Sequence, residues 1–144
     1  ESFPEFTGAY FGYEPDADGE DAAFSQIDPA EPQLLPGTTN GQGRFLPYWF
    51  RDHNNNSELK VEPLVDMETS LYYSGIRELY QQAGRREMVT EPYVYEGKMI
   101  VEQVSPVVIK DEFAGIAGVD RALTDMVDYL DRIKQHAGVD IFLI

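Results

Sequence analysis

The fold is predicted mainly from the stretch Glu91-Pro-Tyr-Val-Tyr-Glu-Gly97 and from the segments Met99 to Ile109 and Ala114 to Asp120 that follow it. The first stretch has tyrosines at alternating positions before a Glu-Gly pair, which is typical of a short strand and a turn. The second is apolar at both sets of alternating positions, which indicates a central strand. Lys110-Asp-Glu112 predicts the next turn. We therefore predict three consecutive antiparallel strands, the last of which delivers the Asp120 carboxylate into a helix.

Two more strands are predicted nearer the start of the chain, over Phe6–Tyr13 and Arg44–Arg51. Pro47 within the second strand predicts an edge position or a local kink, because proline donates no ladder hydrogen bond. The segment Asp28–Gly43 is rich in proline and has little periodicity, which indicates a long surface loop. Val61–Val65 is expected to be extended.

Two segments have the spacing of amphipathic helices. One runs from Glu68 to Ala83 and ends at Gly84, and the other follows Asp120 and ends at Gly138. The fold class is therefore α+β, with a central antiparallel sheet of about five strands and flanking helices. We expect one domain over residues 1–138 and the start of a connection over residues 139–144.

The charge excludes some partners. The chain has 26 acidic against 11 basic residues and a net charge of -15, so it lacks the basic surface that nucleic acids and anionic lipid headgroups require. It contains no cysteine, which removes disulfides and thiolate chemistry. It has no run of about 20 apolar residues that would span a bilayer. The absence of an initiator methionine and of a signal-like start suggests an excised piece or a mature product.

Catalytic and metal motifs are weak. The two histidines, His53 and His136, have no nucleophile or metal-ligand partner at motif spacing. The acidic run Asp16–Asp21 lacks the spacing of a calcium loop. We predict no catalytic residues, no metal and no cofactor. Two alternatives stay open: an acidic hydrolase fragment that uses two carboxylates, and a structural or protein-interaction module that uses the loop Asp28–Gly43.

Five motifs in fixed order carry a family resemblance: Tyr10-Phe-Gly-Tyr-Glu-Pro15, Gly43-Arg-Phe-Leu-Pro-Tyr-Trp49, Leu71-Tyr-Tyr73, Glu91-Pro-Tyr93 and Gly115 to Leu123. With them the chain resembles the Cache family, specifically the membrane-distal, PAS-like module of double Cache sensor domains. The resemblance implies the extracytoplasmic, periplasmic or cell-surface ligand-binding part of a bacterial or archaeal chemoreceptor, sensor histidine kinase or diguanylate cyclase.

The resemblance also implies partners. The parent protein would be anchored in the membrane by segments outside this chain, and a small molecule would be its ligand. Family modules usually open with a long helix that carries the dimer contact. Glu1 starts after that position, so a homodimer would depend on a helix that this chain lacks.

The resemblance makes Asp120 the anchor for a ligand ammonium group, whereas the simpler interpretation is a helix N-cap. Gly118, on the same strand face, would leave space beside it. Amino-acid-binding members of the family place an arginine where this chain has Ser70, so a standard α-amino acid is a less favoured ligand. A small cationic or zwitterionic metabolite is the predicted ligand.

The remaining candidate ligand-binding residues are aromatic or acidic. Tyr72, Tyr73 and Tyr93 are either core residues or the walls of a pocket, where rings hold cations by cation–π attraction. Glu68 and Glu102 are either solvated or converge with Asp120. If the acids converge, a pocket without a counter-charge would favour a cation.

Overall fold

The computed structural model describes residues 6–26, 37–52, 58–95 and 98–138. Over these residues the chain forms an antiparallel sheet with helices packed against it, and the predicted α+β class is confirmed. The strands are β1 (Gly8–Tyr13), β2 (Pro47–Asp52), β3 (Glu58–Pro63), β4 (Met88–Val89), β5 (Tyr93–Tyr95), β6 (Lys98–Ile109) and β7 (Glu112–Ala122). The helices are α1 (Asp21–Phe24), α2 (Leu71–Ala83) and α3 (Leu123–Ala137), with a 3₁₀ turn at Met67–Thr69.

The described sheet has seven strands in the order β3-β2-β1-β7-β6-β4, and β5 also pairs with β6. The predicted number was about five, because β3 and β4 were not counted. β3 is a charged edge strand of sequence Glu-Leu-Lys-Val-Glu-Pro, and β4 has only two residues. Neither is long or apolar enough to show a clear alternating pattern. β6 lies inside the sheet, as its two apolar faces predicted.

The predicted edge position of Pro47 is wrong. β2 lies between β1 and β3, and Pro47 is the first residue of the strand, opposite Pro63 of β3. The first position of a strand tolerates proline, since the missing N–H falls where the ladder begins. The preceding residue, Leu46, donates its N–H to the Thr38 carbonyl at 2.8 Å and anchors the entry to the strand.

The hairpin between β6 and β7 fixes the register of the central strands. Its two turn residues, Lys110 and Asp111, have φ angles of 51° and 65°. Two successive residues with positive φ characterise a type I′ turn, whose twist matches that of the flanking strands. The resulting register, with one irregularity between Val107 and Val108, places Glu102 directly opposite Asp120.

The core lies between α2 and one face of the sheet. Ile76 of α2 is fully buried against Val104 of β6 and Ile116 of β7, both also 0% exposed. As predicted, α2 ends at Gly84 and α3 ends at Gly138, each a left-handed C-cap. The predicted tail over residues 139–144 and most of the predicted loop over residues 28–43 lie outside the described residues.

Candidate functional site

Two carboxylates face each other across the central strands on the side of the sheet that α2 covers. Glu102 of β6 and Asp120 of β7 are register partners, and their exposed fractions are only 4% and 3%. Side chains at directly opposed antiparallel positions have Cβ atoms about 5 Å apart. The sheet therefore brings together two of the predicted acids in a buried position.

Tyrosine hydroxyl groups hold both carboxylates. Tyr93 of β5 donates its hydroxyl hydrogen to Glu102 Oε2 at 2.7 Å, and Tyr48 of β2 donates to Asp120 Oδ2 at 2.8 Å. Thr90 fixes the backbone beside Glu102, because its Oγ1 accepts the Glu102 N–H at 3.0 Å and its own N–H donates to the Glu102 carbonyl. Both acids are therefore held in place by neighbouring strands.

Two more tyrosines cover the space between the carboxylates and α2. The Tyr10 ring lies over Gly118, where any Cβ atom would collide with it, and its centroid is 5.0 Å from that of Tyr72 on α2. The space predicted beside Asp120 at Gly118 is thus filled by Tyr10. The hydroxyl of Tyr10 is buried and has no hydrogen-bond partner within the described part of the chain. Such a group costs about 1–3 kcal/mol unless a partner is supplied.

These six residues form the tyrosine–carboxylate cluster: Tyr10, Tyr48, Tyr72, Tyr93, Glu102 and Asp120. The pKa of Glu102 is raised to about 7, mainly by burial; the Tyr93 hydrogen bond lowers it, and the nearby Asp120 charge adds a smaller increase. Burial also raises the pKa of Tyr10, with added contributions from Glu102, Tyr72, Tyr93 and Asp120. Over the described residues, none of the groups that shift the Glu102 pKa is a cation.

Asp120 does not begin the helix. β7 continues for two residues beyond it, and Ala122 occupies the N-cap position of α3. The N-cap interpretation of Asp120 is therefore wrong. The strand extends because its pairing with β6 continues to Ala122, opposite Ile100. Thr7 supports the same segment: its N–H donates to the Asp120 carbonyl and its Oγ1 accepts the Ala122 N–H. Asp120 is held inside the sheet, and its side chain remains on the buried face.

Tyr73 and Glu68 belong to a second group at the other end of β1. Tyr73 is buried, but its hydroxyl donates to Glu14 at 2.5 Å, and burial together with that bond raises its pKa to about 12. Glu68 is 57% exposed and forms an ion pair with the buried Arg44, which lowers the Glu68 pKa. Arg44 also donates through Nε to the Tyr13 carbonyl at 2.5 Å.

The structure therefore gathers four of the six predicted site residues, Asp120, Glu102, Tyr93 and Tyr72, and places Tyr73 and Glu68 elsewhere. Sequence reasoning missed Tyr10 and Tyr48. Two glycines indicate their positions, because neither has a side chain where a tyrosine ring packs on the sheet. The Tyr48 ring packs on Gly8, and the Tyr10 ring packs on Gly118. Reading that signal requires the register of β1 with its neighbours.

A cavity of about 220 Å³ opens mainly on the opposite face of the sheet. Its side chains come largely from positions that alternate with those of the two acids, so they point away from the cluster. Phe6, Val89 and Gln103 contribute, and the Arg121 guanidinium lies 5.4 Å from the centre of the Phe6 ring. Glu102 and Asp120 also border it. The cluster itself is closed in this structure by the contact between Tyr10 and Tyr72.

Comparison with known proteins gives matches among solved structures. No protein-family model matches the chain, and no curated protein matches it. The extracellular domain assigned to the histidine kinase mmHK1S-Z3 is 36% identical over 91% of this chain, with a TM-score of 0.68. The corresponding domain of mmHK1S-Z2 is 37% identical over 92% of this chain, with a TM-score of 0.66.

A chemoreceptor shares the fold at lower identity. Methyl-accepting chemotaxis protein X is 23% identical over 90% of this chain, with a TM-score of 0.65. The chain spans 42%, 43% and 44% of the lengths of these three structures, which is less than half of each. Among the described helices, none combines the length and the apolar character needed to cross a bilayer. The neighbours confirm the predicted extracytoplasmic location. They also confirm the predicted relationship to the Cache-like sensor domains of histidine kinases and chemoreceptors.

Proposed function

We propose that the module senses a small organic cation, which binds between Glu102 and Asp120 and is enclosed by the tyrosines of the cluster. The observation that carries the proposal is the direct opposition of two buried carboxylates across β6 and β7. Two buried like charges are costly without a counter-charge. A bound ammonium group would supply that charge, and aromatic rings would add cation–π attraction.

A cation fits the cluster better than a zwitterion does. A zwitterionic ligand also needs a cationic partner for its carboxylate on the same face of the sheet. Arg121 lies on the alternate face of β7, over the Phe6 ring, and the buried arginine of the described residues is Arg44. Arg44 contacts the carbonyl of Tyr13, whereas Asp120 pairs with Gly8 at the opposite end of β1. Five residues of strand separate these points by roughly 17 Å. That span exceeds the reach of a small metabolite.

Ligand entry would be coupled to a movement of α2. Tyr72 of this helix lies against Tyr10 and closes the cluster on the side that faces α2. A ligand that binds only when this contact opens would shift the population towards the open arrangement, by its difference in affinity for the two states. The Tyr10 hydroxyl, which has no hydrogen-bond partner within the described chain, would gain one from the ligand. The parent receptor would then read out the position of α2.

The test is a thermal-shift screen at pH 8 with methylammonium, tetramethylammonium, ethanolamine and putrescine, compared with acetate and glycine. A cation at 100 times its Kd should add about 2.7 kcal/mol to the stability of the folded domain. Asp120→Asn should abolish the rise in Tm. Glu112→Gln changes an exposed acid on the same strand and should retain the rise. A rise with acetate, or one that survives in Asp120→Asn, would overturn the proposal.

Two opposed carboxylates are also the kind of residue pair that glycoside hydrolases use. A saccharide needs an open cleft, however, and the pair lies beneath the packed rings of Tyr10 and Tyr72. The solved neighbours described above are sensory domains. Turnover of any substrate in a panel of aryl glycosides, lost in Glu102→Gln, would favour the hydrolase over the sensor.

A further inference from the structure

The Glu102–Asp120 pair is surrounded by groups that respond to charge. Asp120 on β7 lies opposite Glu102, and Tyr93 on β5 donates a hydrogen bond to Glu102. Tyr10 on β1 and Tyr72 on α2 cover the pair. Tyr48 on β2 completes the set through its bond to Asp120. The basic side chain nearest in sequence, Arg121, is on the alternate face of β7 and lies over the Phe6 ring.

This surrounding gives the pair two ways to relieve its repulsion. One is to hold a proton on a carboxyl group, and the other is to hold a cation between the carboxylates. Both occupy the same buried space, and both remove the same excess negative charge. They therefore compete, because a protonated Glu102 offers a bound cation much less electrostatic attraction.

We infer that the sensor exchanges a proton for its cation at the Glu102–Asp120 pair, so that its response to ligand depends on pH. This inference rests on the proposed function and adds its regulation. In the exchange, the O–H bond of the Glu102 carboxyl breaks, its proton passes to solvent, and the positive charge of the ligand takes its place. Tyr93 can stay hydrogen-bonded to Oε2 in both states, which keeps the carboxyl group in position.

The pH range follows from the burial of the pair. The raised pKa of Glu102, about 7, means that the closed cluster holds this proton at mildly acidic pH and loses it at mildly alkaline pH. The apparent affinity for a cation should therefore be constant above about pH 8 and should fall up to tenfold per pH unit below about pH 6.5, as expected for release of one proton. Tyr10, whose pKa is raised by burial, stays protonated throughout.

The test combines two measurements on the intact domain. Carbon-13 NMR of the glutamate carboxyl groups should show Glu102 titrating near pH 7, and Asp120→Asn should move this titration to lower pH. Calorimetric titrations with tetramethylammonium and with methylammonium then measure how many protons are released per cation bound. They are carried out at pH 6, 7 and 8 in buffers of different ionisation enthalpy. Tetramethylammonium carries no titratable proton, so any proton counted with it comes from the protein.

We expect close to one proton released per cation bound at pH 6 and almost none at pH 8. Glu102→Gln should weaken binding and remove its pH dependence, whereas Glu112→Gln should retain it. A Glu102 that titrates near pH 4.5 would overturn the inference, and so would cation binding without proton release. If neither probe binds while Glu102 titrates near pH 7, the proposed function fails and the inference fails with it.

Discussion

Replacing Glu102 with glutamine should stabilise the ligand-free domain in a way that depends on pH. The pKa of Glu102 is raised from 4.5 to about 7, mainly by burial. Between these values the folded state keeps a proton that the unfolded state has lost. Stability from this group is therefore fully present below about pH 4.5 and is lost as pH rises through 7.

The magnitude follows from the shift. About 2.5 pKa units correspond to about 3 kcal/mol of penalty when Glu102 is fully ionised above pH 8. At pH 5 the penalty is only about 1 kcal/mol or less by the same relation. The stability advantage of Glu102→Gln should therefore grow by about 2–3 kcal/mol between pH 5 and pH 8, or roughly 4–10 °C in Tm. Glutamine keeps an oxygen that can accept the Tyr93 hydrogen bond.

The assay is urea unfolding of wild type and Glu102→Gln at pH 5, 6, 7 and 8, with Glu112→Gln as the matched control. Comparing variants at each pH cancels the contributions of the other acids. Equal m-values would show that the folded and unfolded states expose the same surface in both proteins. A stability difference that stays constant from pH 5 to pH 8 would mean that Glu102 titrates at an ordinary pKa, and the prediction would be wrong.

Three further substitutions test two packing contacts and one ion pair. Gly118→Ala should cost about 1–3 kcal/mol, because the new methyl group meets the Tyr10 ring; an unchanged Tm would show that the ring does not lie there. Ile76→Ala should cost about 2–5 kcal/mol in urea unfolding, since the side chain is 0% exposed; a loss below 1 kcal/mol would place α2 away from the sheet. Glu68→Gln should cost about 1 kcal/mol or less at pH 7, because Glu68 is half exposed and paired with Arg44. The lowered Glu68 pKa means that this cost should vanish as pH falls through that pKa, and a cost that persists in acid would count against the ion pair.

The elements that sequence reasoning predicted well are those with strong periodicity. The apolar spacing in α2 and the two apolar faces of β6 are local signals, and each was found where it was predicted. β3 was predicted only in part, as the extended segment Val61–Val65, and β4 was missed, because their strand character depends on partners, β2 and β6, rather than on their own residues. Pro47 was assigned to an edge for the same reason, since the pairing of β2 with β3 cannot be read from the residues of either strand.

The site was predicted in part because its chemistry depends on register. Asp120 and Glu102 were candidates separately, but their direct opposition follows from the length of the turn at Lys110 and Asp111. The adjacent residues Tyr72 and Tyr73 are both buried, yet they point to different groups. Local sequence does not show which of these two tyrosines joins the cluster, because the residues around each one come from distant strands.

A crystal structure of the domain with methylammonium bound would show whether a cation lies between the two carboxylates. We expect the ligand nitrogen within hydrogen-bond distance, about 3 Å, of both the Glu102 and the Asp120 carboxylates, with the Tyr72 ring moved away from Tyr10. A ligand bound instead in the cavity beside Arg121, with the contact between Tyr10 and Tyr72 intact, would show that the Glu102–Asp120 pair is not the cation site.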